Sequence, residues 1–515
     1  MSEIELKLML DEATARQLSR RLSRLPGACG TARTQSLRAI YHDSPDAALH
    51  RDGIALRLRR EGRRWVQTVK CRAGGPGALQ EAGEYSTPAP GGHPRPGEIS
   101  DPALRERITA LAADGGLAPR AEVTTQRHSL RVVRPEGEAE IALDAVTLRA
   151  GDHEAGFHEL EIERIAGSTA LVFTLAGELL PGGGLDFSTL SKAERARLLA
   201  LEDRIAPPPA PRKADKSIAP EPGTPVERAA RAALRDCFAQ IITNAELTRK
   251  SDNPEGPHQL RVGLRRLRTA LALFRPAIGG AEATRLATAA RDLAGEVGEM
   301  RDLDVLIEEI VTPTAARPGL AEGAGALREA LLVRAEARRA ALRAHLESTG
   351  VQRILLDLGA FIEARGWLDP ADISQSVRLA EPVERLARAR LSKRWRKVEK
   401  RARGLAGMDT EHRHELRKEL KKLRYGIEFL GATLSEKRSR AMLTRLKRLQ
   451  DVFGGLNDAA MAERRLSGDG APCPDSPPAR YAAGWIVGQA EAKAEHDWAR
   501  AQALWQELEA VKRPW

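Results

Sequence analysis

Three charge patterns in this chain place reactive groups at useful spacings. The first is Glu3-Ile4-Glu5-Leu6-Lys7. Alternate side chains of a β-strand share a face, so Glu3, Glu5 and Lys7 lie together, opposite Ile4, Leu6 and Leu8. Paired carboxylates suit a hard cation such as Mg²⁺ or Mn²⁺, and an ammonium beside them suits a phosphate that the metal also touches. The second pattern is the same alternation on later segments: Arg57 with Arg59, Lys70, Arg127 with Arg131, and Glu159, Glu161 and Glu163 opposite Leu160 and Ile162. The third lies in the second half. His258, Arg261, Arg265, Arg266 and Arg268 recur as His414, Arg417, Lys421, Lys422 and Arg424.

These groups need elements to hold them. Residues 1–206 read as strands near 2–8, 37–42, 53–60, 64–71, 83–87, 122–134, 138–149 and 157–165. Turn residues such as Asp52-Gly53, Glu61-Gly62 and Gly74-Gly75-Pro76 punctuate them. Helices are expected at 11–25, 168–181 and 191–204. Any one charged strand reads as a solvated face. Two acidic and several basic strands in one sheet read instead as a barrel with a mixed-charge interior. Like charges about 4 Å apart repel by roughly 4 kcal/mol at an effective dielectric near 20, so such an interior needs cations among its carboxylates and an anion among its arginines. A metal–triphosphate complex supplies both.

Residues 207–225 form a Pro-rich linker. From 226 to 515 the chain is Ala-, Leu- and Arg-rich with helical periodicity, and breaks fall near 252–257, 276–281, 312–319, 366–372, 404–411 and 468–478. The fold class is therefore α+β in two domains: an N-terminal eight-stranded antiparallel β tunnel with helices, and a C-terminal all-α bundle. Within that bundle His258–Arg268 matches His414–Arg424, and Leu293, Gly298 and Asp302 match Leu449, Gly454 and Asp458, all at an offset of 156. The bundle is thus an internal duplication. Spacing i, i+3, i+7, i+10 marks one helical face. A pseudo-twofold would set the two basic faces across a central groove. His258 and His414 are phosphate donors when protonated, and Asp302, Asp304, Asp451 and Asp458 are expected to orient arginines.

Charge is uneven. Residues 1–206 carry 28 Lys+Arg against 29 Asp+Glu, and residues 207–515 carry 54 against 42. The basic half favours a polyanion. Aromatics are only 4% of residues, which argues against single-stranded nucleic acid held by stacking. No run of 18 apolar residues offers a transmembrane span. The acidic start is unlike a signal peptide. Cys29, Cys71, Cys237 and Cys473 form no CxxC and read as free thiols. A cytoplasmic location is expected, with polyphosphate granules as an extension of it.

The ordered set Glu3-x-Glu5-x-Lys7, Tyr41-His42-Asp43-Ser44-Pro45, Gly53–Arg59, Gln67–Lys70, Glu159-Leu160-Glu161 and Ser191–Arg195 resembles CYTH domains of the triphosphate tunnel metalloenzyme superfamily over about 1–203. The resemblance implies a triphosphate tunnel with Mg²⁺ or Mn²⁺ held by Glu3, Glu5, Glu159 and Glu161, assisted by Asp144 and Glu163. It implies Glu5, Lys7, Arg57, Arg59 and Lys70 as the catalytic set and Arg127, Arg131 and Lys192 as substrate holders. One departure is Ala82, where relatives often carry a basic residue, which leaves the place of Glu84 open. The duplicated H-x-x-R-x-x-x-[RK]-[RK]-x-R over about 226–510 resembles the CHAD domain, which implies polyphosphate binding. Together these give the expected activity: hydrolysis of inorganic triphosphate beside a polyphosphate-binding domain. The alternatives are a non-catalytic polyphosphate binder, an adenylate cyclase or other organic triphosphatase, and a nucleic-acid binder.

Overall fold

The computed structural model describes the chain apart from Met1, residues 73–78, 114, 216–217, 469 and 474, and the side chains of residues 2, 3, 72 and 80–82. The turn Gly74-Gly75-Pro76 and the carboxylate of Glu3 lie outside the described residues. Two compact units are present. The first comprises the chain up to Ala210 together with Glu347–Gly366, and the second comprises Pro211–Leu346 and Trp367–Trp515.

The first unit is one antiparallel sheet. Its strands are β1 (Ser2–Leu10), β2 (Ala28–Asp43), β3 (Ile54–Glu61), β4 (Arg64–Arg72), β5 (Leu79–Pro88), β6 (Ala118–Arg134), β7 (Gly137–Ala150), β8 (His153–Gly167) and the short β9 (Asp186–Phe187). They run in the order β5-β4-β3-β2-β6-β7-β8-β1-β9, and β5 also pairs with β1, from Ser2 opposite Gly83 to Leu6 opposite Leu79. The eight long strands thus form a continuous circuit, as the sequence pattern required.

Apolar residues of the outer face hold the barrel to its helices. Leu6 and Leu8 of β1, Leu160 and Ile162 of β8 and Ile141 of β7 are all fully buried, where the helix Ala170–Leu179 packs on these three strands. On the opposite side Ile54, Leu56 and Val69 pack with Leu104 and Ile108 of the helix Pro102–Leu111. Neither that helix nor β9 was anticipated from periodicity, and β2 starts nine residues earlier than its apolar run. The helix Thr349–Glu363, expected within the helical half, belongs to this unit: Gly359 abuts Phe173, and Gln352 accepts a hydrogen bond from the Leu185 N–H at 2.9 Å.

The second unit is all helix. Val226–Lys250, Glu255–Ile278, Ala281–Val305 and Ala321–Glu347 are repeated as Val383–Ala402, Thr410–Leu430, Glu436–Leu466 and Pro477–Glu509. The duplication seen over two helices therefore covers four, with Thr349–Glu363 and Ile373–Ala380 inserted between the copies. A reciprocal pair of hydrogen bonds marks the pseudo-twofold. Val226 N–H donates to Glu381 O and Val383 N–H donates to Thr224 O, both at 2.9 Å, around the antiparallel bridge of Pro225 with Pro382.

Candidate functional site: a charged tunnel and a basic helical face

Directly opposed residues of paired strands point to the same side of a sheet. Lys7 opposes Glu161, Glu5 opposes Glu163 and Met9 opposes Glu159. Glu159 opposes Asp144, and Asp144 opposes Arg127. Continuing round, Arg127 opposes Gln35, Tyr41 opposes Arg57, Ala39 opposes Arg59, Arg57 opposes Thr68, Ala55 opposes Lys70 and Lys70 opposes Glu84. Among the described side chains, the register therefore sets the tunnel residues expected from the strands on one face, the inner one.

At the centre, Asp144, Glu159 and Glu161 are buried and offer oxygens within 4.8 Å of one another. Lys192 enters from the first turn of the helix Lys192–Glu202, whose N-cap Ser191 accepts the Glu194 N–H. Its Nζ lies 2.8 Å from Asp144 Oδ2 and 2.9 Å from Glu161 Oε1, and it also donates to Glu159. Lys7 Nζ lies 2.9 Å from Glu161 and 3.1 Å from Glu5. Arg127 grips Asp144 with both Nε (2.8 Å) and a terminal nitrogen (2.6 Å), and it reaches Glu161 as well.

Burial penalises every charge here, and the balance then depends on neighbours. Burial would strip Lys7 of its proton, but Glu161, Glu5 and Glu159 outweigh it and hold its pKa well above the usual lysine range. Lys192 and Arg127 are raised in the same way, against their own burial, by the three carboxylates and by Glu161 with Asp144 respectively. Glu161 meets Lys192, Lys7 and Arg127, which overcome its burial and lower it far below the carboxylate range. For Glu159 burial prevails over Lys192, so its pKa rises. Glu159 Oε2 is buried with no hydrogen-bond partner. Three buried carboxylates with one orphaned oxygen fit a hard divalent cation.

Away from the centre the tunnel changes character. Glu84, left open by the sequence, lies 3.0 Å from Lys70 and 3.8 Å from Arg57. Arg59 pairs with Glu61, and Arg131 is largely exposed and pairs with Glu138. Neither joins the central cluster. Glu163 lies on the inner face, opposite Glu5 and Glu140. Toward the other end the inner face turns apolar, where Ala39, Val123, Val146 and Phe157 pack against Ala196 and Leu199. That packing holds the helix Lys192–Glu202. Arg195 anchors it further by donating to Ser188 Oγ (2.8 Å) and Ile205 O (3.0 Å) with its guanidinium 5.0 Å from the Phe157 ring centre. Sequence reading assigned Arg195 no role, because a buried cation held by a hydroxyl, a carbonyl and a ring has no charge pattern to betray it.

In the second unit, Arg261 pairs with Asp302 at 3.0 Å and Arg424 with Glu428 at 3.3 Å. Burial, then Arg417, Arg265, Arg261 and Arg424, lower the Lys421 ammonium to about 6. Burial and Arg261, with Arg417 further out, lower Arg265 to about 10. Cations of the two duplicated helices thus act on one another directly. Among the described residues, no carboxylate comes within ion-pair distance of Arg265, Arg417 or Lys421. His258 stands beside Arg301, and His414 beside Lys418 and Arg417; burial, then these cations, lower both imidazoles. Two residues expected on this face point elsewhere. Arg266, one position round the helix, is buried against Asp236 (2.7 Å), Gln240 (2.8 Å) and the Phe429 ring, while Lys422 pairs with Glu419 at 2.7 Å. Arg268 lies half-buried near Arg291. Asp302 and Asp304 each pair with an arginine, Arg261 and Arg339 (3.3 Å).

Comparison with known proteins follows the same division. Residues 1–196 match the CYTH domain family and residues 232–467 match the CHAD domain family. An uncharacterised protein of Mycobacterium tuberculosis is 28% identical over 445 residues, which covers 81% of this chain and 80% of that protein. The crystal structure of a CHAD domain from the plant Ricinus communis is 28% identical, with a TM-score of 0.51, covering 59% of this chain and 99% of that one. A putative adenylyl cyclase from Hippeastrum, described as having a dominant triphosphatase activity, is 20% identical with a TM-score of 0.29, covering 40% and 98%. No helix among the described residues is long and apolar enough to cross a membrane.

Proposed function

We propose that this protein, which carries a CYTH domain followed by a CHAD domain, hydrolyses inorganic triphosphate to diphosphate and phosphate in its tunnel and binds polyphosphate on the basic face of its helical domain. CYTH domains act on phosphoanhydrides with the help of a metal. The observation that carries the finer reading is the ring of Lys7, Arg127 and Lys192 around Asp144, Glu159 and Glu161. Asp144, Glu159 and Glu161 would hold a divalent cation, Mg²⁺ or Mn²⁺, with Glu5 and Glu163 adding carboxylates from the same face and Glu3 a further one, as the family resemblance implies. Such an ion neutralises phosphate charge and acidifies a bound water.

The chain's own side chains supply the rest. Lys7, Arg127 and Lys192 each exchange a carboxylate oxygen for a phosphate oxygen as the anion enters. Phosphoryl transfer needs mainly positioning and charge stabilisation, and these three approach from separate elements: β1, β6 and the plugging helix. Lys70 and Arg57 extend the cationic wall, with Glu84 neutralising them until an anion competes for them. The apolar packing behind Lys192 closes that end to water. An inorganic anion suits both halves, because the second unit also collects cations without counter-ions.

The test is phosphate release from tripolyphosphate with Mg²⁺, Mn²⁺ or EDTA, beside ATP, thiamine triphosphate and long-chain polyphosphate. Metal-dependent turnover of tripolyphosphate, lost in Glu5→Gln while polyphosphate binding persists, is the expected result. Tight polyphosphate binding with no turnover of any substrate would make the tunnel a silent anion site. Preferential turnover of ATP would move the activity to an organic triphosphate.

A further inference from the structure

The helix Val383–Ala402 carries a second set of cations. Leu391, Trp395 and Val398 turn inward and are buried. Opposite them Lys393, Arg396, Lys397, Lys400 and Arg401 are all exposed. At about 100° per residue these side chains spread over an arc of roughly 140°, along about 12 Å of helix. Lys393 and Lys400 form the middle of the arc, Arg396 one flank, and Lys397 with Arg401 the other. Among the described residues, no carboxylate lies within ion-pair distance of any of them. The acids of the same helix are taken elsewhere: Glu384 by the Gly223 N–H (2.6 Å) and Glu399 by Arg513 (2.9 Å). On the adjoining helix Thr410–Leu430, Glu415 is held by Lys418 (2.8 Å) and Glu419 by Lys422 (2.7 Å).

Folding does not call for this pattern. Lys393 with Lys397, Arg396 with Lys400 and Lys397 with Arg401 are like charges at i, i+4, which weaken a helix. Other helices of the chain set opposite charges at that spacing, as in Glu246 with Lys250, Arg353 with Asp357 and Glu436 with Arg440. The helix dipole favours Lys400 and Arg401 in the last turn but does not reach the three cations before them. The duplication sharpens the contrast. Val226 and Val383, which open the equivalent helices, are 157 positions apart, an offset that also matches buried Leu234, Phe238 and Ile241 to Leu391, Trp395 and Val398. Lys393, Lys397 and Arg401 therefore correspond to Asp236, Gln240 and Asn244, which are buried. The linker lies against that face. Its Arg212 N–H donates to Asn244 at 3.2 Å, Asn244 donates back to Arg212 O at 2.8 Å, and the Asp215 N–H donates to Asp236 at 3.2 Å. One face of the repeat is thus closed by the chain's own backbone in the first copy and is exposed and cationic in the second.

We propose that this exposed face binds double-stranded DNA through its phosphates. The face offers charge and little else. No exposed aromatic ring stands on the helix to stack an unpaired base, and no large exposed apolar side chain accompanies the cations to enter a membrane. The breadth of the arc selects a duplex over a single linear anion. One phosphate chain meets one row of cations. A duplex groove about 12 Å wide has phosphates on both sides and fits a helix roughly 10–12 Å across, so that Arg396 meets one wall while Lys397 and Arg401 meet the other. This inference is independent of the polyphosphate-binding reading, which concerns other residues.

The experiment is fluorescence polarisation of a short labelled DNA duplex of mixed sequence, titrated with the full chain in EDTA at several salt concentrations. The expected result is saturable binding whose affinity falls about 500-fold between roughly 50 and 200 mM salt, as about five phosphate contacts require. Lys393→Gln combined with Lys397→Gln and Lys400→Gln should shrink that fall to about tenfold, with no loss of melting temperature. Arg20→Gln combined with Arg21→Gln and Arg24→Gln removes the same charge from an exposed stretch of the tunnel unit and should keep the full salt dependence. An unchanged salt dependence in the first variant, or equal weakening in both, overturns the inference, because net charge alone would then attract the duplex. Absence of duplex binding at the lowest salt also overturns it. If the first variant then loses affinity for long-chain polyphosphate, the face is a polyphosphate site instead.

Discussion

The Nζ of Lys192 sits 2.8 Å from Asp144 Oδ2, inside the triangle of carboxylates that offers a place to a divalent ion. An internal cation thus neutralises the cluster. Removing one partner of a buried charge cluster costs about 3–5 kcal/mol, because the remaining charges are left uncompensated. Lys192→Met should therefore lower the melting temperature markedly in EDTA. Mg²⁺ should restore part of that loss and should shift the melting temperature of the variant more than that of the natural protein, since a ligand that binds only the folded state stabilises it. An equal Mg²⁺ shift in both proteins would mean that ion and lysine do not share these carboxylates.

Arg265 and Arg266 are neighbours in sequence with opposite expected behaviour. Arg266→Met removes the nearer cation from Asp236, whose carboxylate is fully buried and keeps Arg212 at 3.4 Å and the Asp215 N–H at 3.2 Å, and should destabilise the second unit by up to about 3–5 kcal/mol. Arg265→Ala combined with Lys421→Ala removes cations that have no counter-ion. That double variant should lose no stability, bind polyphosphate more weakly and show a shallower dependence of affinity on salt. Urea melts and binding isotherms at several salt concentrations distinguish the two.

Lys421 also predicts a stability cost. Its pKa falls from the ordinary lysine value of 10.5 to about 6 on folding, through burial and then Arg417, Arg265, Arg261 and Arg424. Between these values the unfolded chain holds a proton that the folded chain lacks, so this residue makes stability rise with pH across that window. Lys421→Met should raise the melting temperature at pH 7 and flatten its increase toward pH 9. Thermal melts over that range provide the measurement. An unchanged slope would place the lysine in ordinary solvent.

Much of this was legible from residue order. Alternation at Glu3-x-Glu5-x-Lys7 and at Glu159-x-Glu161-x-Glu163 placed those charges on one sheet face because strand geometry leaves no other choice. The same logic failed at Arg131, which has the right parity but lies too far toward an exposed edge, where Glu138 takes it. Helical spacing identified Arg261, Arg265, Arg417 and Lys421. It misled at Arg266, because one step along a helix is about 100° round it, and only the fold reveals Asp236 beneath. The helix Pro102–Leu111 escaped notice although Leu104, Ile108 and Leu111 stand at i, i+4 and i+7, because ten residues give that period only three points. The allegiance of Thr349–Glu363 could not be read at all, since an amphipathic helix does not state which apolar surface it will cover.

That helix yields the last prediction. It lies in sequence between the two copies of the helical repeat, yet it belongs to the tunnel unit. Phe173 of the helix Ala170–Leu179 is buried with Gly359 against its ring, and a side chain at 359 would collide with that ring. Gln352, itself buried, accepts the Leu185 N–H. A fragment ending at residue 210 loses both contacts and exposes the apolar surface of the helix Ala170–Leu179. It should therefore be less stable than the full chain, bind hydrophobic dyes and aggregate. Gly359→Leu in the full chain should reproduce the loss by about 1–3 kcal/mol, as overpacking of a tight contact does. The effect should appear in hydrogen exchange of 170–187 while exchange across 255–278 stays as it was. A fragment of 1–210 as stable as the tunnel unit in the full chain would mean that this helix rests on the unit without completing it.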